Sequence, residues 1–285
     1  MPWTNYHSHN HYCDGKFPIE DQIRKGIEKK FTAIGITSHS PVYFYSPWAL
    51  KTEETDNYFS EIELLREKYR DYIQVYKSLE VEYIPGMIGP GSPEIIDYNL
   101  DYVIGSVHFV KSFEDGLPWG IDGPYELFER GFYQIYQGNI QKVIEDFYCL
   151  TRQMVVEECP EVIGHIDKIK MHGGPFFCED SSWYVNQVKE TLDLVTEKEA
   201  ILEVNTRGIY KGYTDEPYPS WRVLKEIHKR GIPIQLNSDS HHPNELDGAY
   251  ETTAKRLLEI GFRTMRVLLN GQWEDVEFDA EGLQI

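Results

Sequence analysis

The sequence predicts an α/β protein whose parallel strands close into a barrel. Short apolar segments rich in β-branched residues alternate along the chain with amphipathic helical segments, and about seven such units are enough to close a barrel. Most of the predicted strands run directly into histidine or aspartate, and barrels of this kind have their active site at the carboxyl ends of the strands. We therefore expect one catalytic barrel domain that covers residues 1–285.

The composition is that of a globular protein and argues against several other classes. Hydrophobic residues make up 41% and charged residues 26% of the chain, and no apolar segment approaches the ~20 residues that span a bilayer. The net charge of −19 disfavours contact with nucleic acid or an anionic membrane. The four cysteines lack Cys-x-x-Cys spacing and the first residues do not resemble a secretory signal, so we expect a cytoplasmic protein without a disulfide framework.

The first predicted strand leads into a histidine pair. His7 and His9 are two residues apart, so on a strand both side chains point to the same side and can share one cation. Asp14 follows just past the turn and offers a carboxylate oxygen. Imidazole nitrogen and carboxylate oxygen suit zinc or manganese. The alternative interpretation of this stretch alone is a cluster of surface histidines.

The next units repeat the strand and helix pattern. A helix is predicted from Pro18, with isoleucines on one stripe at residues 19, 23 and 27, and residues 31–37 form a buried strand that is followed by His39. A second helix, residues 53–69, precedes a strand at residues 73–83. That strand contains Glu80 and Glu82, whose side chains point the same way.

The middle of the chain gives two further strands that end in histidine. Residues 101–108 end at His108, and residues 162–165 end at His165. Between them, residues 125–158 are predicted to be helical, with Ile140, Val143, Ile144 and Phe147 on one face.

The last third of the chain continues the alternation. Residues 200–206 are a strand, residues 221–230 are a helix that ends at Gly231, and residues 233–237 are the next strand. After a helix at residues 250–259, the chain is predicted to end in a hairpin, residues 264–269 and 275–278, around Asn270-Gly271. The segment after the 233–237 strand reads Ser238-Asp239-Ser240-His241-His242.

These motifs resemble the PHP superfamily of metal-dependent phosphoesterases, and within it the PHP-type histidinol-phosphate phosphatases. The resemblance covers nearly the whole chain. The matching segments are His7-Ser8-His9 with Asp14-Gly15, Thr37-Ser38-His39, Leu79-Glu80-Val81, Ile104-Gly105-Ser106-Val107-His108-Phe109, Gly164-His165-Ile166-Asp167-Lys168-Ile169-Lys170, Glu203-Val204-Asn205-Thr206-Arg207-Gly208, Tyr218-Pro219-Ser220 and Ser238-Asp239-Ser240-His241.

The resemblance implies a distorted (β/α)7 barrel that holds three divalent metal ions, which are zinc, manganese or iron. Glu80 bridges two of the metals, and His11 is the rival of Asp14 as the ligand after the first strand. Carried over by position, the three ligand sets are His7, His9, Glu80 and Asp239; Asp14, His39 and His241; and Glu80, His108 and His165.

The implied activity is hydrolysis of L-histidinol phosphate in histidine biosynthesis, so the expected partner is a small phosphorylated metabolite. Clustered cations lower the pKa of a water and neutralise phosphoryl charge, and Glu80 and Asp239 would be essential to this centre. Arg207 and Lys211 either contact a phosphate oxygen or are plain surface charge. The proton for the leaving group would come from a metal-bound water, Asp14 or His242.

Three further expectations concern neighbouring residues and other functions. Glu82 matches no ligand position and is expected to support a ligand or to face solvent. The competing functions are hydrolysis of another phosphoester, an amidohydrolase-like hydrolysis of a C–N bond, and a non-catalytic metal-binding barrel.

An aromatic loop after His39 could shape the pocket for an imidazole-bearing substrate. The loop residues are Tyr43, Phe44, Tyr45 and Trp48.

Overall fold

A computed structural model describes residues 2–285 of the protein. Seven parallel strands form one sheet in the order β1-β2-β3-β4-β7-β8-β9. Beyond β9 and β1, Ser8 pairs with Ser240 in parallel, so the sheet forms the nearly closed seven-stranded β/α barrel that the sequence predicts. The strands are β1 (Thr4–Asn5), β2 (Ala33–His39), β3 (Gln74–Glu82), β4 (Tyr102–Ser106), β7 (Val162–Ile163), β8 (Ile201–Asn205) and β9 (Ile234–Asn237).

Helices connect the strands and cover the outside of the barrel. In the predicted helix at residues 221–230, Ser220 accepts a hydrogen bond from the Val223 N–H at its start, and Gly231 ends it with a φ of 67°. No helix of residues 2–285 has the length and apolar character needed to cross a membrane. The helices are α1 (Ile19–Glu28), α2 (Thr55–Tyr69), α3 (Pro93–Asp97), α4 (Tyr125–Gln134), α5 (Ile140–Glu157), α6 (Lys170–Gly173), α7 (Ser182–Lys198), α8 (Arg207–Tyr210), α9 (Trp221–Arg230) and α10 (Tyr250–Ile260).

The prediction of one helical stretch over residues 125–158 is wrong. The chain leaves the helical conformation between α4 and α5, where Gln137 and Gly138 have φ values of 52° and 79°. Asn139 then starts α5, because its side chain accepts a hydrogen bond from the Lys142 N–H.

Two hairpins lie outside the barrel sheet. The predicted C-terminal hairpin is present as β10 (Thr264–Leu269) and β11 (Gln272–Glu277), which pair antiparallel. The other hairpin, β5 (Phe109–Ser112) and β6 (Pro118–Gly120), directly follows His108 and was not predicted.

The end of the barrel opposite the strand carboxyl ends is filled by aromatic side chains. Tyr6 and Tyr102 are fully buried, with their ring centroids 5.8 Å apart, and the Tyr6 hydroxyl donates to the Leu268 carbonyl at 2.7 Å. Gly35 makes room for this layer, because a Cβ at that position would lie 1.8 Å from the Tyr102 hydroxyl. The apolar layer leaves the other end of the barrel for polar side chains.

Candidate metal centre

The carboxyl ends of the strands bring all nine predicted metal ligands together. Strand register explains part of this: His39 and Glu80 are paired residues on β2 and β3, and His108 and His165 each lie two residues past the end of a strand. Asp239 lies two residues past the end of β9, and His241 lies two residues after Asp239. We call this set the metal cluster: His7, His9, Asp14, His39, Glu80, His108, His165, Asp239 and His241.

Glu80 occupies the middle of the metal cluster. Its Oε2 lies 2.9 Å from His39 Nδ1 and 3.2 Å from His7 Nε2, while its Oε1 lies 2.9 Å from His165 Nε2 and 3.5 Å from His108 Nε2. Burial opposes ionisation of Glu80, but the imidazoles around it hold its pKa well below its usual range. An ionised carboxylate whose two oxygens face different histidines can bridge two cations.

The donor atoms form three groups in which all atoms lie within 4.8 Å of one another. These groups differ in part from the sets implied by the resemblance, because His9 and His39 each belong to two groups. His165 is in none of the three, although its Nε2 is 3.2 Å from His108 Nε2. The groups are His9, Asp14, His39 and His241; His7, His9 and Asp239; and His39, Glu80 and His108.

The chemistry of these donors fits divalent metal ions. Among the described residues, the buried Nε2 atoms of His7 and His9 have no hydrogen-bond partner. A buried polar atom without a partner costs about 1–3 kcal/mol, and a cation bound between the imidazoles would remove that cost. Burial and the neighbouring His241 and His39 hold the pKa of His9 well below its usual range, so its imidazole is neutral and can donate a lone pair.

The two outer carboxylates are also held as anions. Burial disfavours the charge on Asp239, but Lys168, His7 and Arg207 keep its pKa well below the usual range. For Asp14, burial again opposes ionisation, while the hydrogen bond with His241 and the nearby His39 keep its pKa low. The Asp14 side chain is 34% exposed, so this side of the cluster opens to solvent.

Asp14 belongs to the metal cluster, whereas its rival does not. The Asp14 carboxylate lies 3.0 Å from His241 Nε2. The His11 side chain is exposed and its ring lies against Tyr12, with centroids 4.3 Å apart.

Two buried glutamates, Glu82 and Glu203, form hydrogen bonds with predicted metal ligands. The sequence indicated no firm role for either of them. Glu82 is buried, and it accepts hydrogen bonds from both the backbone N–H and Nδ1 of His108, at 2.7 and 2.8 Å. Glu203 on β8 is fully buried and lies 2.6 Å from His7 Nδ1. Hydrogen bonds of this kind fix which imidazole nitrogen faces the metal. For Glu203, the available signal was a glutamate within an otherwise apolar strand.

A pocket of about 120 Å³ opens beside the metal cluster. Lys168 is buried in its wall, with Nζ 3.4 Å from Asp239 Oδ2. Arg207 donates from Nη1 to the Asp239 carbonyl at 2.7 Å. The lining residues outside the metal cluster are Asp122, Lys168, Met171, Arg207 and Tyr213. Lys168 lies in a matched motif but was not predicted as a pocket residue.

Two predicted site residues lie elsewhere. The Lys211 ammonium pairs with Glu245 and does not line the pocket, so the expected contact with phosphate is not supported. His242 also lies outside the pocket lining: its Nδ1 accepts a hydrogen bond from the Asn244 N–H at 3.0 Å and its ring packs against Phe17. This position does not support a role as proton donor.

The aromatic loop contacts His39, a predicted metal ligand, and does not line the pocket itself. The Trp48 ring lies 4.6 Å from the His39 ring and stacks on Phe109 at 5.5 Å. Tyr43 and Tyr45 are 65% and 86% exposed. Trp48 therefore restricts the position of His39, while the two tyrosines face solvent.

A family model described as the PHP domain matches residues 5–207, which is most of the chain. The chain belongs to the PHP family. The predicted resemblance is thereby confirmed.

Relatives of this PHP chain share one name, histidinol-phosphatase. A Deinococcus radiodurans protein named "Probable histidinol-phosphatase" is 27% identical over 86% of this chain and 88% of its own length. The histidinol-phosphatase of Bacillus subtilis is 26% identical over 88% of this chain and 97% of its own. These relatives confirm the prediction of a phosphoric monoester hydrolase.

A solved structure with a similar name has the same fold. A histidinol phosphate phosphatase from Lactococcus lactis, crystallised with zinc, L-histidinol and phosphate, matches this PHP chain with a TM-score of 0.71 and 20% identity, over 99% of both chains. At this identity the likeness confirms the barrel fold.

Proposed function

We propose that this PHP protein hydrolyses L-histidinol phosphate to L-histidinol and phosphate, as a single-domain cytoplasmic enzyme of histidine biosynthesis. The observation that carries the proposal is the position of Glu80, whose two oxygens face separate sets of imidazoles at the wall of a pocket lined by cationic side chains. The names of the relatives support the choice of substrate.

We propose three divalent metal ions, zinc, manganese or iron, held by the nine residues of the metal cluster. When bound, such ions lower the pKa of a water and neutralise charge on the phosphoryl oxygens. The chain's own part is to hold imidazole nitrogens and ionised carboxylate oxygens close together around common points. The unpartnered Nε2 atoms of His7 and His9 support this role.

Lys168 and Arg207 would bind the phosphate oxygens that remain exposed. Both cations line the pocket next to Asp239, and neither has a carboxylate oxygen within 3.3 Å among the described residues. The nearest carboxylate contact of Lys168 is 3.4 Å and that of Arg207 is 3.9 Å. Both distances exceed the roughly 2.7–2.9 Å of a strong charge-assisted hydrogen bond, so a phosphate oxygen in the pocket can be bound more closely than these carboxylates are.

The position of Asp122 in the pocket favours a substrate that carries an amino group. It is the pocket-lining carboxylate outside the metal cluster, and its Oδ2 lies 3.7 Å from both Lys168 Nζ and His108 Nε2. Burial opposes ionisation, but His108 and Lys168 hold the pKa of Asp122 below its usual value. An anionic side chain beside the phosphate-binding cations suits an amino alcohol phosphate, in which opposite charges lie a few bonds apart.

Asp14 is not suited to donate the proton that the leaving alkoxide needs. Its pKa is held well below the usual range by His241 and His39, so it is ionised near neutral pH. Since His242 lies outside the pocket, we propose that solvent water reaching the exposed side of the cluster supplies this proton.

The test is phosphate release from L-histidinol phosphate by protein reconstituted with manganese or zinc, compared with a panel of nucleotide and sugar phosphates. We expect histidinol phosphate to be preferred by about 10²-fold or more in kcat/KM, since a site built for a polar group rejects analogues that lack it. Preference for another ester would keep the metal chemistry and overturn the substrate. Failure with every ester would favour C–N hydrolysis or a non-catalytic barrel.

A matched pair of variants tests the role of the phosphate-binding cations. Arg207→Met should lower kcat/KM by about 10²-fold, because a positive charge beside the transferred group is lost. Lys211→Met, four residues away on the same turn but paired with Glu245, should keep the wild-type value. Equal losses in both variants would contradict the assignment of Arg207.

A further inference from the structure

Glu203 is a buried carboxylate beneath the metal cluster that accepts four hydrogen bonds. Oε1 accepts from His7 Nδ1 at 2.6 Å and from Asn237 Nδ2 at 3.2 Å. Oε2 accepts from the His165 backbone N–H at 2.9 Å and from Asn205 Nδ2 at 3.1 Å. An ionised carboxylate only accepts hydrogen bonds, so each oxygen matches the two donors that face it.

This carboxylate connects ligands that come from three different strands. It contacts the side chain of His7 after β1 and the backbone of His165 after β7. Asn205 extends the contact to a third ligand, because its Nδ2 also donates to Asp239 Oδ2 at 3.1 Å. An amide NH₂ has two protons, so it can serve both carboxylates at once.

The contact with His7 also decides which imidazole nitrogen is free. Because Glu203 accepts at Nδ1, Nδ1 carries a proton, and a cation can bind His7 only through Nε2. That Nε2 is buried without a hydrogen-bond partner among the described residues, 3.2 Å from Glu80 Oε2. The opposite tautomer would place a proton where a cation is expected.

We infer that Glu203 is a positioning residue that couples metal binding at one position to metal binding at another, since it holds His7, His165 and Asp239 in one hydrogen-bonded unit. The inference rests on the proposed metal centre. In the sets carried over from the family, His7 and Asp239 bind a different ion from His165. An ion that fixes one of these ligands therefore also orders the others, which is a favourable coupling between binding sites.

The decisive variant is Glu203→Gln, which keeps the shape of the side chain. Its amide NH₂ must replace one oxygen, and either oxygen faces two donors, so two hydrogen bonds are opposed in both orientations. We expect metal affinity to fall by about 10–100-fold. We also expect zinc to bind the metal-free variant in separate steps, where the wild type takes up its ions in one step.

The measurement is calorimetric titration of metal-free protein with zinc, with bound metal counted by mass spectrometry. The ¹⁵N shifts of the His7 ring in the zinc-bound protein give a second readout, because they show which ring nitrogen binds the metal. Glu251→Gln removes an exposed carboxylate on α10 and should bind zinc like the wild type. Circular dichroism and urea unfolding of the metal-free forms check that each variant folds.

The outcomes separate this inference from the proposed centre. A wild type that binds a single zinc ion or none overturns the centre itself. A wild type that binds several ions in separate steps, or a Glu203→Gln that matches the wild type in affinity and steps, overturns only the coupling. If Glu203→Gln does not fold, Asn205→Ala decides: weaker zinc binding by a folded protein supports the coupling, and unchanged binding overturns it.

Discussion

Two clusters of charged side chains in this protein differ in the groups that surround their carboxylates. The second, which we call the Lys170 cluster, consists of Lys170, Asp167, Glu179 and Glu216. Lys170 Nζ lies 2.5 Å from Glu216 and 2.7 Å from Glu179. In the metal cluster, by contrast, the carboxylate of Glu80 is surrounded by imidazoles, and two of the buried imidazole nitrogens have no partner among the described residues.

The difference shows how a functional cluster can be told from a structural one. Backbone N–H groups of Ser220 and Trp221 donate to Asp167 and Glu216 in the Lys170 cluster at 2.9 and 3.2 Å, while Asp167 Oδ1 has no partner among the described residues. Such a network connects the segments before α6, α7 and α9 and needs no ligand. Both clusters contain charge and a buried polar atom without a partner, so neither feature alone identifies the site. The metal cluster differs in having several metal-ligating atoms within 4.8 Å of one another beside a pocket.

The largest expected effect breaks the metal cluster at its centre. Glu80→Gln should lower kcat/KM by about 10³-fold or more, because the two sets of imidazoles lose the anion that both face. Asp239→Asn should behave in the same way. The free energy of unfolding of the metal-free protein should fall, since the Glu80 carboxylate is stabilised by the imidazoles that surround it, and circular dichroism checks that the variant still folds. Full activity in either folded variant would contradict the proposed centre.

The next effect is on stability and concerns the Lys170 cluster. Lys170→Met leaves the buried Asp167 and two partly exposed glutamates without their cation, so we expect the free energy of unfolding to fall by about 2–4 kcal/mol. The control Lys255→Met breaks an exposed pair with Glu251 and should cost about 0–1 kcal/mol. Urea unfolding of the metal-free forms measures both. Equal effects would remove the distinction between a buried network and a surface pair.

The smallest effect concerns pH. Burial raises the pKa of Asp167 from 3.8 to about 7. The folded state therefore keeps a proton that the unfolded state releases, and the stability this gives at low pH is lost as the pH rises towards and through 7. Asp167→Asn should lose less stability than the wild type between pH 5 and 8, by about 2 kcal/mol. Urea unfolding of the metal-free proteins at both pH values tests this, and identical losses would contradict it.

Much of the fold could be read from local patterns. The alternation of strands and helices predicted the barrel, and the Gly231 cap and the Asn270-Gly271 hairpin appear where expected. The helical stretch at residues 125–158 failed because a turn at Gln137 and Gly138 costs little and the apolar pattern on either side continues across it. The hairpin after His108 was missed because its strands are short and half exposed.

The sequence by itself determined which side chains can face the site. Spacing by two residues places His7 with His9 and Asp239 with His241, because side chains alternate along an extended chain. Only the tertiary structure decided which distant groups support them, as with Glu203 and His7, 196 residues apart. It also separated Arg207 from Lys211 and found Lys168 in the pocket wall. Such contacts depend on strand register and loop paths around the whole barrel, which no local spacing encodes.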